Sequence, residues 1–188
     1  MVSIVSLWLP ILLSAVVVFI VSSIIHMVLG YHASDYKRLP DEDGITDALR
    51  KFSLPAGDYA MPWAGSMKEM NTPEFAERWA KGPAAFMTVL EPGPAKMGAQ
   101  LTQWFLYSVV IGIFAAYITT RALAPVPNPD YLSVFRFVGA TTFIGYAAAL
   151  WQNSIWYKRS WRTTFKFTFD SLVYALLTAG FFGWLWPY

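Results

Sequence analysis

Four side chains carry most of the chemistry this sequence can offer: His26, His32, Asp35 and Asp170. The chain has two histidines in all and no cysteine, which removes disulfides, thiolate metal sites, iron–sulfur clusters and thiol nucleophiles. Asp170 is the most informative of the four. It interrupts the apolar run Phe167 to Trp186, and an ionisable group within a hydrophobic helix is costly unless it faces protein, water or a partner. It follows Lys166 by about 6 Å of helical rise, so it sits near one end of that run. His26 precedes Leu29, the end of the first apolar run, and is predicted to lie at nearly the same depth.

Ser22, Ser23, Gln103, Gln152 and Asn153 fall near the corresponding ends of their own helices. His26, Asp170, Gln103, Gln152 and Asn153 therefore make up the candidate polar cluster, at a point where helices converge and sites tend to form. A protonatable pair there would relay protons or hold a polar substrate. The competing roles are structural: an ion pair of Asp170 with Lys166 one turn away, and a hydrogen bond from His26 to a neighbouring helix.

His32 and Asp35 form a second pair at i, i+3, with donor types that metals accept. A complete ligand set is not visible in the sequence, and Gly30 is a place where the helix can end. Ligation of a haem iron by both histidines is not expected, because they stand six positions apart on what reads as one helix. No cofactor is predicted. The Gly-x-Ser-x-Gly elbow, the Walker loop and His-Glu-x-x-His are all missing, while Gly65-Ser66 and Pro92-Gly93-Pro94 are turn chemistry. The basic cluster Lys158, Arg159, Arg162 and Lys166, interleaved with Trp156, Tyr157 and Trp161, suits anionic lipid headgroups and serves equally as a topology determinant.

The elements that must position these groups are set by composition. Of 188 residues, 56% are hydrophobic, 18% aromatic and 14% charged, against roughly 25% charged in soluble domains. So few charges could not cover a water-soluble globule, and disorder requires the opposite balance. The net charge of +2 and pI of about 8.8 lack the concentrated basic face that nucleic acid requires. Four runs, Leu7 to Leu29, Leu101 to Thr120, Phe137 to Tyr157 and Phe167 to Trp186, approach or reach the ~20 residues of a spanning helix. The first lacks the basic n-region and cleavage site of a signal peptide and reads as an anchor.

The expected fold is an all-α membrane protein: a four-transmembrane-helix bundle with a small α+β cytoplasmic segment between helices 1 and 2. The boundaries are 1–31 for helix 1, 32–98 for the segment and 99–188 for helices 2–4. The acid-free loop holding Lys158, Arg159 and Arg162, together with the basic residues of 32–98, places 32–98 and 158–166 in the cytoplasm and both termini outside a cell (inner) membrane. Trp8, Trp184, Trp186 and Tyr188 then fall at the outer interface, and Trp104, Trp151, Trp156 and Trp161 towards the inner one. Within the segment, helices are predicted near 42–53 and 73–81, with strands at Tyr59–Met61 and 85–90, leaning on the membrane helices as a small cap.

Small residues spaced by four, Ser171, Ala175, Ala179 and Gly183, with Gly112/Ala116 and Gly145/Ala149, allow close helix approach and put the fourth span at the centre of contacts. The abundance of packing signals beside incomplete catalytic sets leads to the expected function. That function is a noncatalytic accessory or structural subunit, surrounded by membrane lipids and packed with other membrane proteins or with itself. A membrane-embedded enzyme or carrier built on the polar cluster is the competing expectation.

Overall fold

The computed structural model describes residues 2–187; Tyr188, expected at the outer interface, lies outside them. The chain is 66% helical with one small sheet. Its elements run α1 (Trp8–Met27), α2 (Glu42–Arg50), β1 (Gly57–Met61), α3 (Met67–Met70), α4 (Pro73–Lys81), β2 (Ala85–Val89), α5 (Gly98–Ala122), α6 (Tyr131–Ala147), α7 (Leu150–Ile155) and α8 (Trp161–Trp184). Two compact units result, residues 37–95 and the remainder. Residues 32–36, grouped with the polar segment on composition, belong to the helical unit, and this decides where His32 and Asp35 go.

Among the described residues, four helical stretches are long and apolar enough to cross a membrane: Val5–Met27, Gly98–Ala122, Tyr131–Ile155 and Trp161–Trp184. Between 22% and 39% of each apolar window is buried within the chain, so most of its hydrophobic surface faces outward. Ile20, Phe114, Ile144 and Phe169 are among the exposed side chains. A water-soluble bundle would turn such residues inward and leave a polar outer face. The third and fourth stretches begin about six residues before the apolar runs do. Asp130 caps α6 by accepting from the Ser133 N–H at 2.7 Å, and this bond with the Ser133 side chain holds its carboxyl below the usual carboxylate range. Thr163 and Thr164 open α8 as buried residues, with Thr164 hydrogen-bonded to Ser154 of α7 at 2.6 Å.

Helix α8 packs most extensively on α6 and next on α1, while α5 closes the bundle against α1 and α6. Ser171, Ala175, Ala179 and Gly183 form a buried row along α8. One core cluster gathers Leu7, Ile11, Val134, Val138, Phe182 and Trp186 at the end holding the chain termini. Trp186, expected at an interface, is turned into this core. A Cβ added at Gly183 would lie 2.6 Å from Tyr131 Cε2, closer than packed carbon atoms approach. Gly183→Val is therefore expected to cost about 1–3 kcal/mol through overpacking, seen as a lower melting temperature in detergent. Gly98→Ala, whose new Cβ meets no atom within 4 Å, is the neutral control.

In the smaller unit, β1 and β2 pair antiparallel, from Gly57 with Val89 to Met61 with Ala85. The strand pair encloses α3 and α4 in sequence. Thr72 caps α4 by accepting from the Phe75 N–H at 3.2 Å, Pro73 occupies its first turn, and Gly82 ends it. The short helix α3 was not expected. Its signal is the Ser66-x-x-Glu69 spacing, with Ser66 Oγ accepting from the Glu69 N–H at 3.2 Å. The Gly65 N–H and the Arg78 guanidinium hold the Glu69 carboxyl below its ordinary range. Phe75 alone among the unit's described residues is fully buried and hydrophobic, so its apolar interior is very small.

Candidate functional site

The site begins with a helix that stops early. Beyond Met27, the Leu29 N–H bonds to the Ile24 carbonyl at 3.1 Å, and Gly30 takes a left-handed conformation (φ 65). Such an ending is common because glycine has no Cβ to clash there. The chain then winds through a 3-10 turn, Tyr31–Asp35, which sets His32 and Asp35 against the first turns of α8.

Lys166 fastens this turn. Its ammonium donates to the Tyr31 carbonyl at 2.5 Å, Ser34 Oγ at 3.0 Å and Asp35 Oδ1 at 2.7 Å. The other Asp35 oxygen is 2.6 Å from His32 Nδ1, and His32 Nε2 is 2.8 Å from Asp170 Oδ2. The result is a continuous line, Lys166, Asp35, His32, Asp170, with side-chain exposures of 15%, 3%, 10% and 1%. Burial opposes the charge on Asp35, yet the hydrogen bonds from Lys166 and His32 hold its carboxyl below the usual range. One imidazole facing two carboxylates needs two protons among the three groups: an imidazolium, or a neutral ring beside a carboxylic acid.

Rings clamp the imidazole. His32 lies with ring centroids 4.3 Å from Tyr31, 4.4 Å from His26 and 4.7 Å from Phe167. The guanidinium of Arg159 covers Phe167 at 5.0 Å. His26, His32 and Asp170 each offer a ligand atom within 4.8 Å of the others. Among the described residues, Asp170 Oδ1 and the Tyr174 hydroxyl are buried polar atoms with no hydrogen-bond partner.

Next to this cluster lies a half-open cavity of about 470 Å³. Trp104, Tyr107, Tyr146 and Tyr174 line it with edge and stacked contacts of 5.7–6.0 Å between ring centroids. Trp104 is fixed by donating to Ser22 Oγ at 2.8 Å, and Tyr107 by donating to the Gly145 carbonyl at 2.8 Å. His26 and Phe167 also contribute to the lining, so the ionisable cluster and the apolar cavity share a wall. A larger cavity of about 600 Å³ at the opposite end is lined by proline-rich loop residues and Trp186, with no ionisable side chain; size alone does not make it the better site.

The structure brings together His26, His32, Asp35, Asp170 and Lys166. Asp170 bonds to His32, and Lys166 to Asp35, in place of the Asp170–Lys166 pair along one helix. The two histidines, expected on one helix, are separated by its end at Gly30, and the reversal there stacks their rings 4.4 Å apart. Gln103 and Gln152 are exposed and Asn153 is half-buried, and none of the three lines the cavity. Of the basic cluster, Lys158 donates to the Ile155 carbonyl at 3.3 Å, Arg159 covers Phe167, Arg162 is exposed and Lys166 is engaged within the site. Sequence reasoning missed Trp104, Tyr107, Tyr146 and Tyr174 as cavity walls. They come from α5, α6 and α8, and only the Trp104/Tyr107 spacing is visible in the sequence. Comparison with protein-family models, curated proteins and solved structures returns no match.

Proposed function

We propose that this is an integral membrane protein that binds an amphiphile: an apolar chain or ring in the aromatic cavity, with an oxygen-bearing head towards His26. The observation that carries this is the shared wall between an apolar cavity and a buried ionic line. The volume falls within the ~300–1,000 Å³ of small-molecule sites. Tyr174 lines the cavity, and its buried hydroxyl, without a hydrogen-bond partner among the described residues, could donate to a ligand oxygen that reaches it. Outward-facing apolar residues on all four long helices support residence in a membrane, from which such a ligand would partition. The charge bias supports an inner-membrane orientation with 32–98 and 158–166 cytoplasmic and the termini outside. The site would then sit near the cytoplasmic surface.

This role is preferred over the accessory subunit because the small-residue row of α8, one of the packing signals behind that expectation, is spent inside the chain. Binding of a bromine-tagged medium-chain alcohol to detergent-solubilised protein tests it, with tryptophan fluorescence as the readout. Trp104 in the cavity wall should give quenching that saturates at one equivalent. Ser23→Phe, which fills the cavity from α1 at a half-buried position, should remove the saturable part. Quenching that rises without saturating and is the same in both proteins would refute the assignment.

A further inference from the structure

We infer that His26, His32 and Asp170 form a mononuclear site for a divalent first-row transition metal, with Asp35 as the positioning residue for His32. The inference uses observations separate from those behind amphiphile binding and stands whether or not the cavity takes such a ligand. Three donors converge from three places: the last turn of α1, the turn after Gly30, and the third turn of α8. Their ligand atoms lie within 4.8 Å of one another. An ion with ~2.1 Å bonds in tetrahedral geometry sets its donors about 3.4 Å apart, so the widest pair closes by about 1.4 Å at most.

The proton inventory assigns the donors. Asp35 faces His32 Nδ1 at 2.6 Å, the carboxylate-to-imidazole contact that fixes the tautomer and raises the basicity of metal-binding histidines. That leaves Nε2 as the donor, and Nε2 already points at Asp170. Asp170 itself, 1% exposed, carries Oδ1 with no partner among the described residues. A buried carboxylate oxygen left bare is costly, and a cation beside it removes the cost. Two imidazole nitrogens and one carboxylate suit Zn²⁺, Fe²⁺ or Co²⁺, and suit poorly the all-oxygen preferences of Ca²⁺ and Mg²⁺. Three protein donors leave a coordination position open, the pattern of reactive and not of structural zinc sites. One of the three donors, His26, also belongs to the cavity wall.

Metal alone decides the matter, with no amphiphile present. Full-length protein in detergent, stripped with chelator and titrated with Co²⁺, should develop visible ligand-field bands that saturate at one equivalent and vanish on adding Zn²⁺. Zn²⁺ at a hundredfold excess over Kd should raise the melting temperature by about 5–10 °C. His32→Gln should abolish the bands, and His26→Gln, a change at an exposed residue that spares the core, should weaken binding at least tenfold. Asp35→Asn should weaken it about 10–100-fold while leaving the one-to-one stoichiometry. No saturable band in the wild type, or bands unchanged in His26→Gln, would overturn the site. If His32→Gln does not fold, the wild-type stoichiometry and His26→Gln still decide it.

Discussion

Lys166→Met should destabilise the helical unit by about 3–5 kcal/mol, the usual cost of removing one partner of a buried ion pair. The ammonium has three acceptors, the Tyr31 carbonyl, Ser34 Oγ and Asp35 Oδ1, and all three belong to the turn that carries His32. Methionine fills a similar volume, so the loss isolates the charge and its hydrogen bonds. What remains is an Asp35 carboxylate, 3% exposed, with His32 as its sole ionic partner. The measurement is thermal melting in detergent, where a drop of about 10 °C is expected. Lys158→Met is the control. Lys158 is exposed and, among the described residues, its ammonium bonds to the Ile155 carbonyl at the end of α7, so its change should stay within about 0.5 kcal/mol. The double variant Lys166→Met with Asp35→Asn should recover part of the loss, since it leaves no uncompensated charge. Equal melting of Lys166→Met and Lys158→Met would show that Lys166 does not fasten the turn.

The dependence of the site on one turn explains what the sequence did and did not disclose. The four long helices are legible because spanning length and apolarity are local properties, readable within a window. Their starts are less so. The first turns of α6 and α8 are threonine-, serine- and arginine-bearing, and they are helical through the Asp130 cap and the Ser154–Thr164 contact. The reactive residue types were equally plain, since a carboxylate in an apolar run is conspicuous in any sequence. Their partners were not. His32 and Asp170 are 138 positions apart, and they meet only because the chain leaves α1 at Gly30 in a left-handed conformation and doubles back. Gly30 is the one sequence signal that could have suggested it. Gln103 shows the opposite failure. It lies at the right depth, but one residue from Trp104 is about 100° around the helix, and depth without azimuth placed an outward-facing amide in the cluster.

Asp170→Asn and Asp170→Ala should separate what the carboxylate does for the fold from what it does for a bound cation. Asparagine keeps the shape, and its amide can donate to His32 Nε2 while Nδ1–H still donates to Asp35. The polar line stays satisfied with its net charge unchanged, since one carboxylate and one proton are lost together, and stability should move by no more than about 1 kcal/mol. Alanine removes the partner that His32 Nε2 holds at 2.8 Å and leaves the imidazole bonded on one side only. That variant should lose about 3–5 kcal/mol. Neither side chain offers an anionic oxygen to a metal, so both should lower Co²⁺ affinity by about 100-fold or more, beyond the range for residues that merely orient a ligand. The pattern to look for is a near-native melting curve for Asp170→Asn together with lost ligand-field bands. Loss of stability in both variants with Co²⁺ binding intact in the folded fraction would make Asp170 a structural anchor for the turn, and would leave His26 and His32 without their third ligand.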